Sequence, residues 1–266
     1  MSYAVKDMLF KGAMVFQDAK LHKKDVLISN GLIKSIAPSL ECPEAELIDA
    51  TDCVLTPGFV DIHVHFREPG FEYKETIETG SKAAARGGYT TVCTMPNLNP
   101  VPDSPEHIGQ QLEAIQNTSV IEVIPYAAIT KGRAGKELCD FAALKGACFA
   151  LTDDGSGVQS DEMMLAAMKR AAQIDMMIAA HCEDNSLLCG GYIHKGQYCQ
   201  EHGHKGICSE SEWGQIARDL KLAEQTGCRY HVCHISTKES VAIIREAKAR
   251  GVDVTCETGP HYLVLD

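Results

Sequence analysis

Apolar residues in the first 57 positions come in short runs broken by turn residues. From residue 58 onward they form longer unbroken stretches separated by amphipathic ones. In the first segment, Met14-Val15-Phe16, Asp25-Val26-Leu27-Ile28 and Leu32-Ile33-Lys34-Ser35-Ile36 are interrupted by Asn30-Gly31 and Pro38. Asn-Gly between alternating apolar residues is the strongest short-range hairpin signal, so a small β-meander is predicted here. Leu55-Thr56-Pro57-Gly58 then punctuates a boundary. Beyond it, runs at 59–65, 90–95, 120–127, 147–152, 176–182, 229–235 and 252–257 predict seven strands. Near-continuous apolar runs of this kind belong to parallel strands buried on both faces. Helical stretches lie between them. Ser104-Pro105 supplies an N-cap followed by proline at the first helical position. Ser209–Glu212 and Ser236–Glu239 both fit the capping box, and Gly227 and Gly251 sit where helices should end. Alternating strands and helices predict an α/β fold.

Composition removes several function classes. The 266 residues hold 25 Lys+Arg against 36 Asp+Glu, a formal charge of −11. A partner of nucleic acid normally presents a basic face, so none is expected. No apolar run reaches the roughly 18 residues of a membrane span, and Lys6, Asp7 and Lys11 interrupt any signal-peptide core. A cytoplasmic location is expected. The 12 cysteines form no Cys-x-x-Cys pair. Cys53, Cys93, Cys148, Cys182, Cys233 and Cys256 lie inside apolar runs and read as small buried hydrophobes.

Candidate chemistry lies at strand ends. His63 and His65 occupy alternate positions of the 59–65 run, so their side chains face the same side. Asp153-Asp154 follow the 147–152 run, His181 ends 176–182, and His234 ends 229–235. In a barrel all of these fall at the C-terminal face, where active sites are built. Neutral imidazole with carboxylate suits zinc, manganese, iron or cobalt. The stretch 183–210 holds Cys189, His194, Cys199, His202, His204 and Cys208. Without paired ligand spacing it reads as a long active-site loop rather than a second metal site.

These residues sit in longer motifs: Asp61-Ile-His63-Val-His65-Phe-Arg67-Glu-Pro-Gly70, Tyr73-Lys-Glu-Thr-Ile-Glu-Thr-Gly80, Thr94-Met-Pro-Asn97, Thr152-Asp-Asp-Gly155, His181-Cys-Glu-Asp184 and His231-Val-Cys-His234-Ile-Ser-Thr-Lys238. Together, and in this order, they resemble class I dihydroorotase of the amidohydrolase superfamily. The resemblance implies a (β/α)8 TIM-type barrel with two zinc ions at its mouth. His63 and His65 would hold the first ion and His181 and His234 the second. Asp154 would bridge them, with Asp153 as the alternative. Many superfamily members bridge with a carbamylated lysine on strand four, but Lys145 precedes that strand. The implied reaction is the reversible cyclisation of N-carbamoyl-L-aspartate to L-dihydroorotate in pyrimidine biosynthesis, driven by a hydroxide shared by the two metals. Arg67 would meet the substrate carboxylate with a bidentate fork, and Asn97 would add amide hydrogen bonds.

The resemblance also implies a catalytic aspartate on strand eight, and no matching motif occurs in the sequence. Asp266 comes too early to replace it, and Glu257-Thr-Gly-Pro-His261-Tyr departs from the family pattern, so His261 receives no role. Residues 58–266 thus read as a barrel lacking its eighth strand. Residues 1–57 read as the N-terminal part of a small β-sandwich whose other strands come from further along the chain. The polypeptide is accordingly expected to be cut short at its C-terminus and to have little activity alone. Two other readings compete. A different cyclic amidohydrolase, such as an allantoinase or hydantoinase, is disfavoured by Arg67 and the absent lysine. A non-catalytic dihydroorotase-like partner of aspartate transcarbamoylase would be expected to lose metal ligands. A homodimer is compatible with the sequence.

Overall fold

A computed structural model describes residues 6–264. Residues 1–5, which entered the signal-peptide reading, and Asp266 lie outside them. The chain divides into two compact units, Met1–Gly58 and Phe59–Asp266.

The first unit is one five-stranded sheet of β1 (Met8–Gln17), β2 (Lys20–Ser29), β3 (Leu32–Ala37), β4 (Glu46–Asp49) and β5 (Val54–Leu55). Its order is β3-β2-β1-β4, with β5 also pairing β1. The predicted meander holds for β1 to β3, which pair antiparallel. It fails for β4 and β5, which lie parallel to β1 after the chain has crossed back. Asn30 (φ 52°) and Gly31 (φ 76°) form the expected two-residue turn. Both positive φ values suit the primed turns that match strand twist. Gly12, at φ 74°, sits in a bulge where the register shifts between Phe10 and Ala13. Its amide donates to Asp25 Oδ1 at 2.8 Å. Ala13, Val15, Val26 and Ala50 form the buried face.

The second unit runs β6 (Phe59–Val64), α1 (Ile77–Arg86), β7 (Tyr89–Thr94), α2 (Pro105–Thr118), β8 (Glu122–Pro125), α3 (Phe141–Leu144), α4 (Asp161–Gln173), β9 (Ile178–Ala180), β10 (Ile193–His194), α5 (Gln197–Glu201), β11 (Gly206–Ile207), α6 (Glu210–Thr226), β12 (Tyr230–Val232), α7 (Lys238–Ala249) and β13 (Val254–Cys256). β6, β7 and β8 pair parallel, as do β9, β12 and β13. The predicted strand at 147–152 joins the two groups through single parallel bridges from Leu151 to Ala127 and to Ile178, not through a full ladder. Seven parallel strand positions therefore follow one another in chain order. Ser104 caps α2 as expected, accepting from the His107 amide, and Gly227 closes α6 at φ 69°.

Two capping boxes are corrected. Ser209 is already helical and makes no side-chain cap. The α7 cap is Thr237 rather than Ser236, accepting from the Ser240 amide. The cause is common to both, because the Glu212 carboxylate reaches the start of α7 instead of its own helix. It accepts from the Ser236 and Thr237 amides at 3.0 and 3.1 Å and from the Ser240 hydroxyl at 2.6 Å.

Packing follows helical spacing. Met164, Ala167, Met168 and Ala171 of α4 and Ile216, Leu220 and Ala223 of α6 are buried in one cluster with Ile178, Tyr230 and Val232 of the strands. Full burial of one such aliphatic side chain contributes about 1.5–3 kcal/mol. A second cluster of Cys93, Met95, Tyr126, Ala150, Ala179 and Cys233 comes from alternate positions of successive strands. The cysteine reading divides: Cys93, Cys182 and Cys233 are buried and Cys148 is partly so, but Cys53 and Cys256 are exposed. Cys53 lies in the turn before β5. Cys256 lies on β13, which pairs on one side only among the described residues. No helix among the described residues is long and apolar enough to cross a membrane.

Candidate metal centre

The parallel strands bring five predicted residues to one place. His63 is near the end of β6 and His65 follows it; His181 comes directly after β9, and His234 two residues after β12. Asp154 follows the 151 bridge position. All therefore stand at the C-terminal ends of their strands. The turn after His65 is seated by Phe66, which packs against α1. A Cβ on Gly80 would overlap the Phe66 ring, so the helix must be bare at this position. His234 itself has φ 36°, a left-handed backbone that a non-glycine residue adopts only when its surroundings enforce it. The Glu212 bonds to Ser236 and Thr237 fasten the chain two residues further on.

Asp154 is 2% exposed and lies between the four imidazoles. Its Oδ1 is 3.6 Å from His63 Nε2, 3.7 Å from His181 Nδ1 and 3.5 Å from His234 Nε2. Its Oδ2 is 3.8 Å from His65 Nε2. These separations exceed hydrogen-bond length. They approach the spacing of two donors on one tetrahedral ion, roughly 3.3 Å for zinc–ligand bonds of about 2.0–2.1 Å. Oδ1 is also buried without any hydrogen-bond partner among the described residues, an expensive condition for a carboxylate. Two ligand groups result, His63-His65-Asp154 and Asp154-His181-His234, which share the aspartate. The donor set fits a pair of divalent cations bridged by Asp154.

Asp153 is equally buried but faces elsewhere. Its carboxylate accepts from the Ile129 and Thr130 amides at 2.8 and 3.1 Å and from the Thr130 hydroxyl. Lys145 lies at the opposite end of the strands, where its Nζ donates to Ile174 O, just past the end of α4.

Electrostatics separates the candidate ligands. Burial tends to raise the Asp154 carboxyl, but His181, His234 and His63 hold it far below the ordinary carboxylate range. Burial lowers His65 to about 4, helped by the charges of His63 and Arg67 and opposed by Asp154. Burial also acts on His63 and His181, yet carboxylates at Glu257 and Asp154 for the one, and at Asp154 and Glu183 for the other, raise both.

Arg67 and Asn97 stand beside this centre. Arg67 Nη1 is 3.4 Å from Asn97 O. Asn97 Nδ2 donates to the Asp154 carbonyl at 2.7 Å, while its Oδ1 is buried without a partner. One of the two amide hydrogens is thus committed to holding Asp154. Arg133 Nη1 also donates to that carbonyl, and its guanidinium is lowered by burial and by the charge of Arg67.

Sequence reasoning missed Arg133, Glu212, Glu183 and Glu257. Glu183 Oε2 is 3.5 Å from His181 Nε2, and Glu257 Oε1 is 2.5 Å from His63 Nδ1. Both glutamates follow a strand at the same rim as the histidines, and that position was the signal available. The segment 183–210 carries β10, α5 and β11 rather than one irregular loop. No metal-ligand group falls within it among the described residues. Its residues Tyr192, His194 and Ile207, with His181, Glu212 and His234, line a cavity of about 590 Å³ beside the second ligand pair.

Comparison with known proteins agrees with this architecture. The dihydro-orotase-like family profile matches residues 52–240. A dihydroorotase of Listeria monocytogenes serovar 1/2a is 55% identical over 260 residues, covering 97% of this chain and 61% of that protein. A dihydroorotase of Staphylococcus aureus is 54% identical over 259 residues with the same coverage. The chain thus spans 61% of the length of these curated relatives. In structure, it is similar to the L-hydantoinase (dihydropyrimidinase) of Arthrobacter aurescens, with a TM-score of 0.84 at 22% identity, over 97% of this chain and 59% of that one. That likeness concerns the fold. By the profile match and the identity along nearly its whole length, the chain belongs to the dihydro-orotase-like family.

Proposed function

We propose that these residues form the metal centre and carboxylate-recognition side of a dihydroorotase, acting on N-carbamoyl-L-aspartate and L-dihydroorotate. The observation that carries the reading is Asp154 Oδ1, a buried carboxylate oxygen without a hydrogen-bond partner, set 3.5–3.7 Å from three imidazole nitrogens. His63 and His65 hold the first divalent ion, His181 and His234 the second, and Asp154 bridges. Zinc is the cation the donor set favours. When bound, such a pair acidifies a water and polarises the amide carbonyl.

The protein's own groups supply orientation. Arg67 faces the substrate's free carboxylate, a group that dihydroorotate has and hydantoin lacks. Asn97 offers its unpartnered Oδ1 and second amide hydrogen to the ligand. Arg133 adds positive charge beside Arg67 while fixing the Asp154 backbone. A net-acidic chain needs such local cations to draw an anionic substrate.

The strand-eight aspartate implied by the family resemblance is not among these 266 residues. A general base typically contributes about 10²- to 10⁴-fold, so these residues alone are expected to load metal yet turn over slowly. Binding is therefore the decisive measurement. Elemental analysis should find two zinc ions per chain, and calorimetry should show dihydroorotate binding that R67M abolishes, with hydantoin not bound. Hydantoin binding as tightly as dihydroorotate, with R67M without effect, would place the chain among carboxylate-indifferent cyclic amidohydrolases. Turnover of carbamoyl-aspartate by these 266 residues at the rate of a longer relative would refute the expected slow chemistry.

A further inference from the structure

His63 has a second carboxylate, on the side away from Asp154. Its Nδ1 lies 2.5 Å from Glu257 Oε1, directly after β13, while its Nε2 points at Asp154. Glu257 is itself held firmly. Its amide donates to Val232 O at 3.0 Å, and its carbonyl accepts from the Ile235 amide at 2.9 Å. Its other carboxylate oxygen is 3.4 Å from Nε2 of His231. His231 is 3% exposed, and its Nδ1 is 2.7 Å from Thr255 Oγ1. Thr255, His231, Glu257 and His63 are thus polar neighbours in that order, the His63–Glu257 contact being the short one and His231 Nε2 having no hydrogen-bond partner among the described residues.

Cys233 lies close enough to His63 and Glu257 for the three to be considered as a separate metal site. The distance argues otherwise. At 2.5 Å the nitrogen and oxygen share a proton, whereas two ligands of one zinc ion stand roughly 3.3 Å apart. An imidazole that gives its Nδ1 proton to a carboxylate is fixed in one tautomer, with a more basic Nε2 aimed at the metal. His65 has no equivalent support, since its Nδ1 is buried without a partner. Of the two candidate ligands, only His63 has a carboxylate behind its Nδ1 among the described residues.

We propose that Glu257 is the positioning carboxylate of the His63/His65 metal position, holding His63 as the Nδ1–H tautomer with Nε2 open toward Asp154. The inference rests on the metal-centre reading given above. It gives strand seven a part in a site otherwise assembled from strands one, four, five and six.

The test uses the 266-residue chain stripped of metal and titrated with Zn²⁺ against a competing chelator, in wild type and in E257Q. The wild type is expected to take up two ions. In E257Q one of the two constants should weaken by about 10- to 100-fold, the range for a lost partner behind a ligand, and the other should stay unchanged. Nitrogen-15 NMR of the zinc-loaded wild type should show His63 protonated at Nδ1. This second measurement needs no variant, and it decides the matter if E257Q does not fold. Two ions bound equally by wild type and E257Q, or a His63 proton at Nε2, would overturn the positioning role while leaving the metal centre intact. No uptake by the wild type would overturn the metal centre, and the role of Glu257 with it.

Discussion

Asp25 in the N-terminal sheet and Asp154 at the rim of the parallel strands are buried almost alike, at 4% and 2% exposure. Both carboxyls are held below their ordinary range. Their partners differ in kind. Asp25 is saturated: the Gly12 and Leu40 amides donate to its two oxygens at 2.8 and 2.9 Å, and Lys11 Nζ stands at 2.7 Å. Those donors close the bulge in β1 and anchor the chain after β3. Asp154 is surrounded by four imidazole nitrogens at 3.5–3.8 Å, and its Oδ1 receives no hydrogen bond. Burial and acidity together therefore do not identify a functional carboxylate. What separates the two is whether the charge is already satisfied by donors of the fold.

The largest effect that would break this contrast is on metal uptake. D154N removes the carboxylate common to both candidate ligand groups. Zinc affinity should fall at both by more than the roughly 10- to 100-fold that a change behind a ligand costs. D153N is the control next door: it should keep both ions and lower the thermal unfolding temperature, because the Ile129 and Thr130 donors lose a charged acceptor. Chelator competition and thermal denaturation of the pair decide the matter. Equal metal loss in D153N would remove the distinction between the two neighbours.

D25N should show the opposite pattern. Metal uptake should be unchanged, and the sheet should lose about 1–3 kcal/mol, the cost of leaving buried donors poorly paired. Faster hydrogen exchange at the Gly12 and Leu40 amides would report it locally. The pH dependence follows from the lowered carboxyl. Burial works against ionisation, but the Lys11 hydrogen bond and the two amides prevail. The stability contributed by ionised Asp25 is therefore fully present above the ordinary value of 3.8 and lost as pH falls through the lower folded-state value. Wild type should lose its advantage over D25N in that acid range, measured by urea unfolding at successive pH values. A constant difference down to the lowest pH would contradict the role assigned to Asp25.

The same contrast explains what could be read from the chain alone. The strand runs were legible because strands covered on both faces must be apolar throughout, and the clustering of the candidate ligands because each follows such a run. Asp153 and Asp154 could not be separated that way. Adjacent residues at a strand end point in different directions, and only the position of Thr130 shows which one the fold consumes. Glu257 stood in plain view after the seventh run, but a carboxylate that acts through His63 has no spacing rule to reveal it. The Ser209 capping box failed for a related reason: Glu212 found stronger donors at Ser236, Thr237 and Ser240, far away in sequence. Local patterns lose to tertiary partners when a charge is at stake.

Turns show the limit at its smallest scale. Asn30-Gly31 announced one hairpin, but the other, between β1 and β2, is made by Asp18 and Ala19 at φ 51° and 60°. Alanine carries a Cβ that crowds the backbone in this region, so nothing in its identity signals the turn, and it holds the conformation at a cost. A19G should relieve that crowding. The gain is offset in part by the greater freedom of glycine in the unfolded chain, leaving about 0.5–1 kcal/mol of net stabilisation. Because Ala19 lies in the N-terminal sheet, the change should slow exchange of the β1–β2 amides and leave both zinc constants where they are. A19G that destabilises the sheet would show that the Ala19 methyl makes a favourable contact outweighing its strained backbone. A19G that shifts metal affinity would show that the two carboxylate regions are energetically linked, and the contrast between Asp25 and Asp154 would then describe one coupled system.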